Sequence, residues 1–206
     1  MVGHLAKADP ASARGRKEVD RRARHEVSQA RCAAKGRKPG GPGQTAGGRY
    51  LSFVFENRET VWFQIQEMCR AERIVDDARI AEEVTVYNAL LPGPGELAAT
   101  MLIEIEAAAE IKPVLDKLLG IDTRAYVRLE VGPHVVVGRF ETGHSDEELG
   151  KLSAVHFVRF ALSDAARRAL RDEPDAEVAL VVEHPNERAR AVLSPDTRRS
   201  LAADLE

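Results

Sequence analysis

Cysteine is scarce in this sequence, and its scarcity narrows the available chemistry. Only two of the 206 residues are cysteines, Cys32 and Cys69. Their separation fits no zinc or iron–sulfur ligand pattern, and two thiols make no disulfide framework. A reducing, cytoplasmic setting is the expectation. Long apolar runs are missing as well. None approaches the roughly 18 residues that span a bilayer, and the N-terminus lacks the apolar stretch of a secretory signal. No G-x-S-x-G, H-E-x-x-H or C-x-x-C occurs, so the familiar hydrolase, metalloprotease and dithiol mechanisms lack their residues. Pro92-Gly93-Pro94-Gly95-Glu96 is no phosphate loop, because it has no P-loop lysine and its prolines remove amides that would cradle an anion.

Charge is present in both signs but divided along the chain. Residues 1–49 hold 12 Lys/Arg against 4 Asp/Glu, a net of +8, and residues 50–206 hold 18 against 29, a net of −11. An acidic body argues against a domain built on phosphate contacts. The arm, with Arg14, Arg16, Lys17, Arg21, Arg22, Arg24 and Arg31, suits nucleic acid, an acidic partner or the protein's own acidic body. No aromatic residue precedes Tyr50, so the arm has no stacking platform for single strands.

Hydrophobic residues make up 44% of the chain, enough for a real core. The run from Pro39 to Gly48 reads as a flexible linker. It sets off a basic arm over residues 1–48, expected to be mostly disordered, from one domain over residues 49–206. Within the domain, Tyr50–Asn57 alternates as a half-buried strand. Asn57 then caps a helix expected to reach Ile74, and a second helix runs from Asp76 to about Leu90, with Ile80, Val84, Tyr87 and Leu91 as its buried stripe. Leu97, Ala99, Met101, Ile103 and Ile105 mark a further strand, and a helix from Ala108 ends before Gly120. Tyr126–Val131 and Val135–Glu141 form a hairpin through Gly132-Pro133. Ser145–Glu148 reads as a short helical turn. Leu152–Leu162 is a strand, Ser163 caps a helix, Glu177–Glu183 and Arg188–Leu193 pair as a hairpin, and Ser194-Pro195 starts the last helix. Hairpins and helices segregate without βαβ alternation. The fold class is α+β, a single domain with a largely antiparallel sheet packed by helices.

Two polar residues stand out against this pattern. Counted at 100° per residue, the apolar stripe of the first helix collects Val61, Ile65, Met68 and Cys69, and Glu72 falls inside it at about 20°. A carboxylate there would need a partner, since burying it alone costs several kcal/mol. The plainer alternative is that Glu72 snorkels past the helix end. His156 shares one face of its strand with Val158, Phe160 and Leu162, while Arg159 interrupts the other. A histidine so placed either satisfies a backbone carbonyl or, paired with Glu72, binds a divalent metal or relays a proton. Two ligands do not complete a metal site, and Glu67, Glu56 or Glu96 would supply the third. A polar ligand pocket would draw on Gln64, Trp62, Tyr87 and Arg159; the alternative is a solvated helix face beside ordinary core aromatics.

Three stretches also carry a family resemblance. Phe53-Val54-Phe55-Glu56-Asn57-Arg58-Glu59-Thr60-Val61-Trp62-Phe63-Gln64-Ile65-Gln66-Glu67-Met68 with Arg70–Ile74, then Tyr87–Leu97, then Ala154–Phe160, closely resemble a bacterial domain-of-unknown-function family, number 3501. The linker departs from that family's pattern, in which a basic helix leads into the first strand. Members are often encoded beside rubrerythrin-like proteins and cysteine-rich iron–sulfur oxidoreductases. The resemblance therefore implies an accessory or binding role in a redox-stress system, with either of those proteins as partner. A metal-dependent enzyme using Glu72, His156 and Glu67, and a regulatory module binding nucleic acid through the arm, are the alternatives.

Overall fold

A computed structural model describes residues 50–143 and 145–205. The arm and linker expected over residues 1–48, and the domain boundary placed after them, lie outside these residues. Among the described residues the chain forms a single α+β domain in which every strand pairing is antiparallel.

The first strand, β1 (Leu51–Glu56), leads through Asn57 into α1 (Arg58–Ala71). Asn57 Oδ1 accepts from the Glu59 and Thr60 amides, and Thr60 Oγ1 accepts in return from the Asn57 amide, closing a capping box. Helix α2 (Asp77–Asn88) is capped by Asp76 and packs against α1. Strand β2 (Glu96–Ile103) follows, then a 3₁₀ turn and α3 (Ile111–Leu118). Strands β3 (Val127–Val131) and β4 (His134–Val137) form the expected hairpin, with Gly132 at φ 53° where a two-residue turn requires the left-handed region. Strands β5 (Arg139–Phe140), β6 (Ser145–Asp146) and β7 (Lys151–Leu152) are two residues each. The stretch expected to be a helical turn at Ser145–Glu148 is instead a small ribbon of β6 on β7. Its turn residue Gly150 has φ 61°, so the chain reverses before a helix can start. Then come β8 (Val155–Ala161), α4 (Asp164–Asp172) capped by Ser163, β9 (Val178–His184), β10 (Glu187–Val192), and α5 (Pro195–Ala203) capped by Ser194.

The long strands make two four-stranded sheets, β1-β2-β8-β5 and β10-β9-β3-β4. Their inner faces share one core: Phe53, Met101, Val158 and Phe160 from the first, Leu129, Val131, Leu180 and Val182 from the second. Helices α3, α4 and α5 add Val114, Leu118, Ala169, Leu170 and Leu201 to it. β4 and β5 are one strand bent at Gly138, so a single segment belongs to both sheets. The Gly138 amide still donates to the Val127 carbonyl in the second sheet, while the Glu141 amide donates to Phe157 in the first.

The outer face of the first sheet is covered by α1. Strand β1 is therefore buried along all six residues and not, as its alternation predicts, on one face only. Val54 and Ala98 on the sheet, with Val61, Ile65 and Ile74 on the hairpin side, supply its buried apolar residues. The α2 stripe of Ile80, Val84, Tyr87 and Leu91 is half-buried only, because α2 rests on α1 and none of its residues is fully covered.

The outer face of the second sheet carries charges instead of a helix. Arg128 pairs with Glu130 and Glu183, and Arg190 with Glu130 and Glu177, across buried Ala179 and Val181. Hydrogen bonds to Glu183 and Glu177, with Glu130 shared between them, hold the Arg128 and Arg190 guanidiniums above their ordinary range, and the Arg128 guanidinium holds Glu183 below its own.

At the end of β9, His184 is buried against Tyr126, ring centroids 4.9 Å apart and edge-on. Its Nδ1 accepts from the Asn186 amide at 3.3 Å. Burial lowers its pKa below the usual 6.5, Arg124 pushes the same way, and a hydrogen bond with the Leu119 backbone opposes both. A histidine depressed in the folded state contributes stability that is complete above its unfolded pKa. That stability is lost as pH falls from there through the folded value. The urea midpoint should therefore drop as pH is lowered from above the usual 6.5 through the folded value, and His184→Gln should make that drop shallower. An unchanged slope in the variant would assign the acid sensitivity to other groups.

Candidate functional site

Helix α1 ends earlier than its apolar period implies. Glu72 is the C-cap, and Arg73 takes a left-handed conformation, φ 55°, unusual for a residue with a side chain. The Arg73 amide donates to Arg70 O and the Ile74 amide to Cys69 O, the paired bonds of a Schellman ending. Ile74, not Glu72, folds back into the apolar contact and is buried. Glu72 is half in water, its side chain 53% exposed, with Arg79 Nη2 at 3.8 Å. The expectation that Glu72 points into the interior is thus corrected: the 100° count runs past the point where the helix stops.

His156 does point inward. It lies opposite Met101 in the register, on the face it shares with Val158 and Phe160, and is completely buried. The first sheet stands between it and the α1–α2 hairpin, so His156 and Glu72 are not brought together. Glu67, the third expected ligand, lies on α1 and pairs with Arg70 at 2.9 Å.

The partners of His156 are interior ones. Its Nε2 is 2.8 Å from the Ser153 carbonyl, and because a carbonyl only accepts, that nitrogen carries the proton. Its Nδ1 lies 3.4 Å from Asp122 Oδ2, in a carboxylate whose side chain is 4% exposed. The same Oδ2 accepts from Ser145 Oγ at 2.5 Å. The Phe140 ring meets the imidazole edge-on at 6.0 Å. Asp122 follows Gly120 and the fully buried Ile121. It sits in a connecting segment with no period, where sequence pattern gives no facing. An apolar residue straight after the helix-ending glycine is the one signal that the chain dips inward there.

A second buried polar cluster lies on the opposite side of the sheet. Glu56 is 4% exposed. Its Oε2 accepts from Thr60 Oγ1 at 2.9 Å and Gln64 Nε2 at 2.8 Å, and its Oε1 from Thr100 Oγ1 at 2.5 Å. Gln64, expected in a ligand pocket, is thereby committed to holding a buried carboxylate.

Arg159 is committed as well. Its guanidinium donates to the carbonyls of Leu91, at 3.0 Å, and Ala89, at 2.5 Å, at the C-terminal end of α2. Glu96 and Glu141 lie within 4 Å, at 3.7 and 3.8 Å. A cation there meets the negative end of the helix dipole. Tyr87 lies towards the far end of α1: burial raises its pKa, and Glu83, Glu72 and Cys69 push the same way. Trp62 is half-buried two residues before Gln64, and Cys69 is half-buried and free.

Fold and interior together define a two-sheet α+β protein with an imidazole–carboxylate pair in the core and a satisfied carboxylate beneath its first helix. The chain belongs to the family described as "Protein of unknown function (DUF3501)", whose profile matches residues 22–205. It is similar over 94% of its length to a crystal structure of a novel protein of unknown function from Burkholderia pseudomallei K96243, with 29% identity, 93% of that chain covered and a TM-score of 0.73. No curated protein matches the chain. No helix of the described residues is long and apolar enough to cross a membrane.

Proposed function

We propose that this protein is an accessory binding protein of a redox-stress system, acting in the cytoplasm on a protein partner and not by catalysis of its own. The observation that carries this reading is how its surface-side polar groups are spent. Gln64 holds Glu56, Arg159 holds the end of α2, and Glu67 and Glu72 pair with arginines of their own hairpin. None of these converges on a substrate-sized polar pocket. The α1–α2 hairpin meanwhile exposes Val75 and Val86, 87% and 67% accessible, among Glu72, Asp76, Asp77, Glu82 and Glu83. Two exposed valines would serve as the apolar part of a small contact whose rim is the surrounding carboxylates.

Family association supports a rubrerythrin-like protein or a cysteine-rich iron–sulfur oxidoreductase as the partner. The test is sedimentation velocity of the purified chain mixed with each candidate from the same organism. A saturable complex that weakens about tenfold or more with Val86→Glu supports the reading. Free sedimentation of both components at high micromolar concentration removes it.

A further inference from the structure

We infer that His156 and Asp122 form the protein half of a binding site for a divalent transition-metal cation. The inference is independent of the accessory role proposed above.

Three features of the interior pair carry it. The Nε2–H of His156 is fixed on the Ser153 carbonyl at 2.8 Å. A histidine whose outer nitrogen is tied in this way presents its other nitrogen as a lone pair in a set direction, as metal-binding histidines do. Asp122 Oδ2, itself a lone-pair atom, lies 3.4 Å from that nitrogen. Two acceptors face one another stably only if a proton or a cation lies between them.

The separation favours the cation. An N⁺–H···O⁻ hydrogen bond closes to about 2.7–2.9 Å, well inside the distance found. Two ligands of one tetrahedral ion, with bonds of about 2.0–2.2 Å, stand about 3.3–3.6 Å apart, and 3.4 Å falls in that window. The third feature is Asp122 Oδ1, which is buried and has no hydrogen-bond partner among the described residues. A carboxylate whose side chain is 96% covered yet keeps one oxygen unused is aimed at something it does not touch here.

Imidazole with carboxylate suits zinc, iron or manganese better than magnesium or calcium. Ser145 Oγ already touches Oδ2 and stands on the two-residue strand β6. The other coordination positions go to solvent admitted past the β6–β7 ribbon, while Ser145 Oγ stays a donor to Oδ2. Among the described residues no cluster of three or more His, Cys, Asp or Glu side chains occurs, so the affinity is modest and the ion exchangeable.

The full chain, stripped with chelator, should be titrated with Zn(II) by equilibrium dialysis and with Co(II) by visible absorption. The expected result is stoichiometric binding, the intense Co(II) bands of a four-coordinate site, and a shift of the His156 ring ¹⁵N resonances when zinc is added. Asp122→Asn, which removes one of two direct ligands, should bind more weakly by at least the roughly 10–100-fold that loss of an outer-shell partner costs. Ser145→Ala, which frees Oδ2 from a competing donor, should bind as tightly as wild type or more so. If Asp122→Asn does not fold, the His156 ¹⁵N shift in the wild-type chain decides. Overturning results are an absence of saturable binding, undiminished binding by folded Asp122→Asn, or zinc uptake that leaves the His156 resonances in place.

Discussion

Glu56→Ala should lower the unfolding free energy by roughly 3 kcal/mol, read as a fall in the urea midpoint without a change in slope. Alanine deletes the shared acceptor and strands the Gln64 amide and the hydroxyls of Thr60 and Thr100 under α1. Hydrogen bonds to a charged acceptor are each worth about 1.5–3 kcal/mol, and an orphaned buried donor costs about 1–3 kcal/mol. The full sum is not reached, because the two hydroxyls rotate to other acceptors. Thr60 has one at hand in the Asn57 carbonyl, 3.0 Å away. Glu56→Gln should cost less, about 1 kcal/mol, since its carbonyl keeps the two bonds from α1 while Thr100 turns to accept from the new amide. A loss within about 0.5 kcal/mol for Glu56→Ala, the range of ordinary surface changes, would mean that the carboxylate does not hold the helix to the sheet.

The other large effect belongs to Gly138. A Cβ at this position would stand 2.7 Å from Val158 Cγ2, 3.1 Å from Phe160 Cε1 and 3.1 Å from the Val127 carbonyl oxygen. Val158 and Phe160 are completely buried and the carbonyl is part of a sheet, so none of the three can yield cheaply. Gly138→Ala should therefore destabilise by about 1–3 kcal/mol through overpacking. The cause is close approach and not backbone conformation, which the design of the test can show. Combined with Val158→Ala, which removes the nearest clash, the pair should lose less than the sum of the two single changes. Strict additivity would place the cost elsewhere.

Much of the fold was open to pattern reading because its causes are local. Asn57, Asp76, Ser163 and Ser194 cap the helices that follow them. The two faces of β8 separate as its alternation predicts, His156 inward and Arg159 outward. The family likeness read from the Phe53–Met68, Tyr87–Leu97 and Ala154–Phe160 stretches agrees with the profile match over residues 22–205.

What escaped is non-local. Alternation puts Glu56 on a face of β1 but says nothing of a helix lying over that face. The 3.6-residue period gives Glu72 a direction but not the left-handed turn at Arg73 that takes the chain away first. The split of one strand between two sheets at Gly138 follows from the twist of both, which no window of sequence contains. Asp122, in an irregular segment, and Ser145, on the two-residue strand β6, meet beside His156 from 23 positions apart. No periodicity links them.

The order of strands also bears on how the chain emerges from the ribosome. Strand β2 pairs on one side with β1 and on the other with β8, whose last residue is Ala161. Until that residue has cleared the exit tunnel, the inner faces of β1 and β2, with Phe53, Phe55, Leu97 and Met101, have neither their third strand nor the opposing sheet to lie against. More than half of the polypeptide is thus made before this strand pair finds cover. Translation itself therefore opens an interval in which newly made chains are open to chaperone capture and to one another.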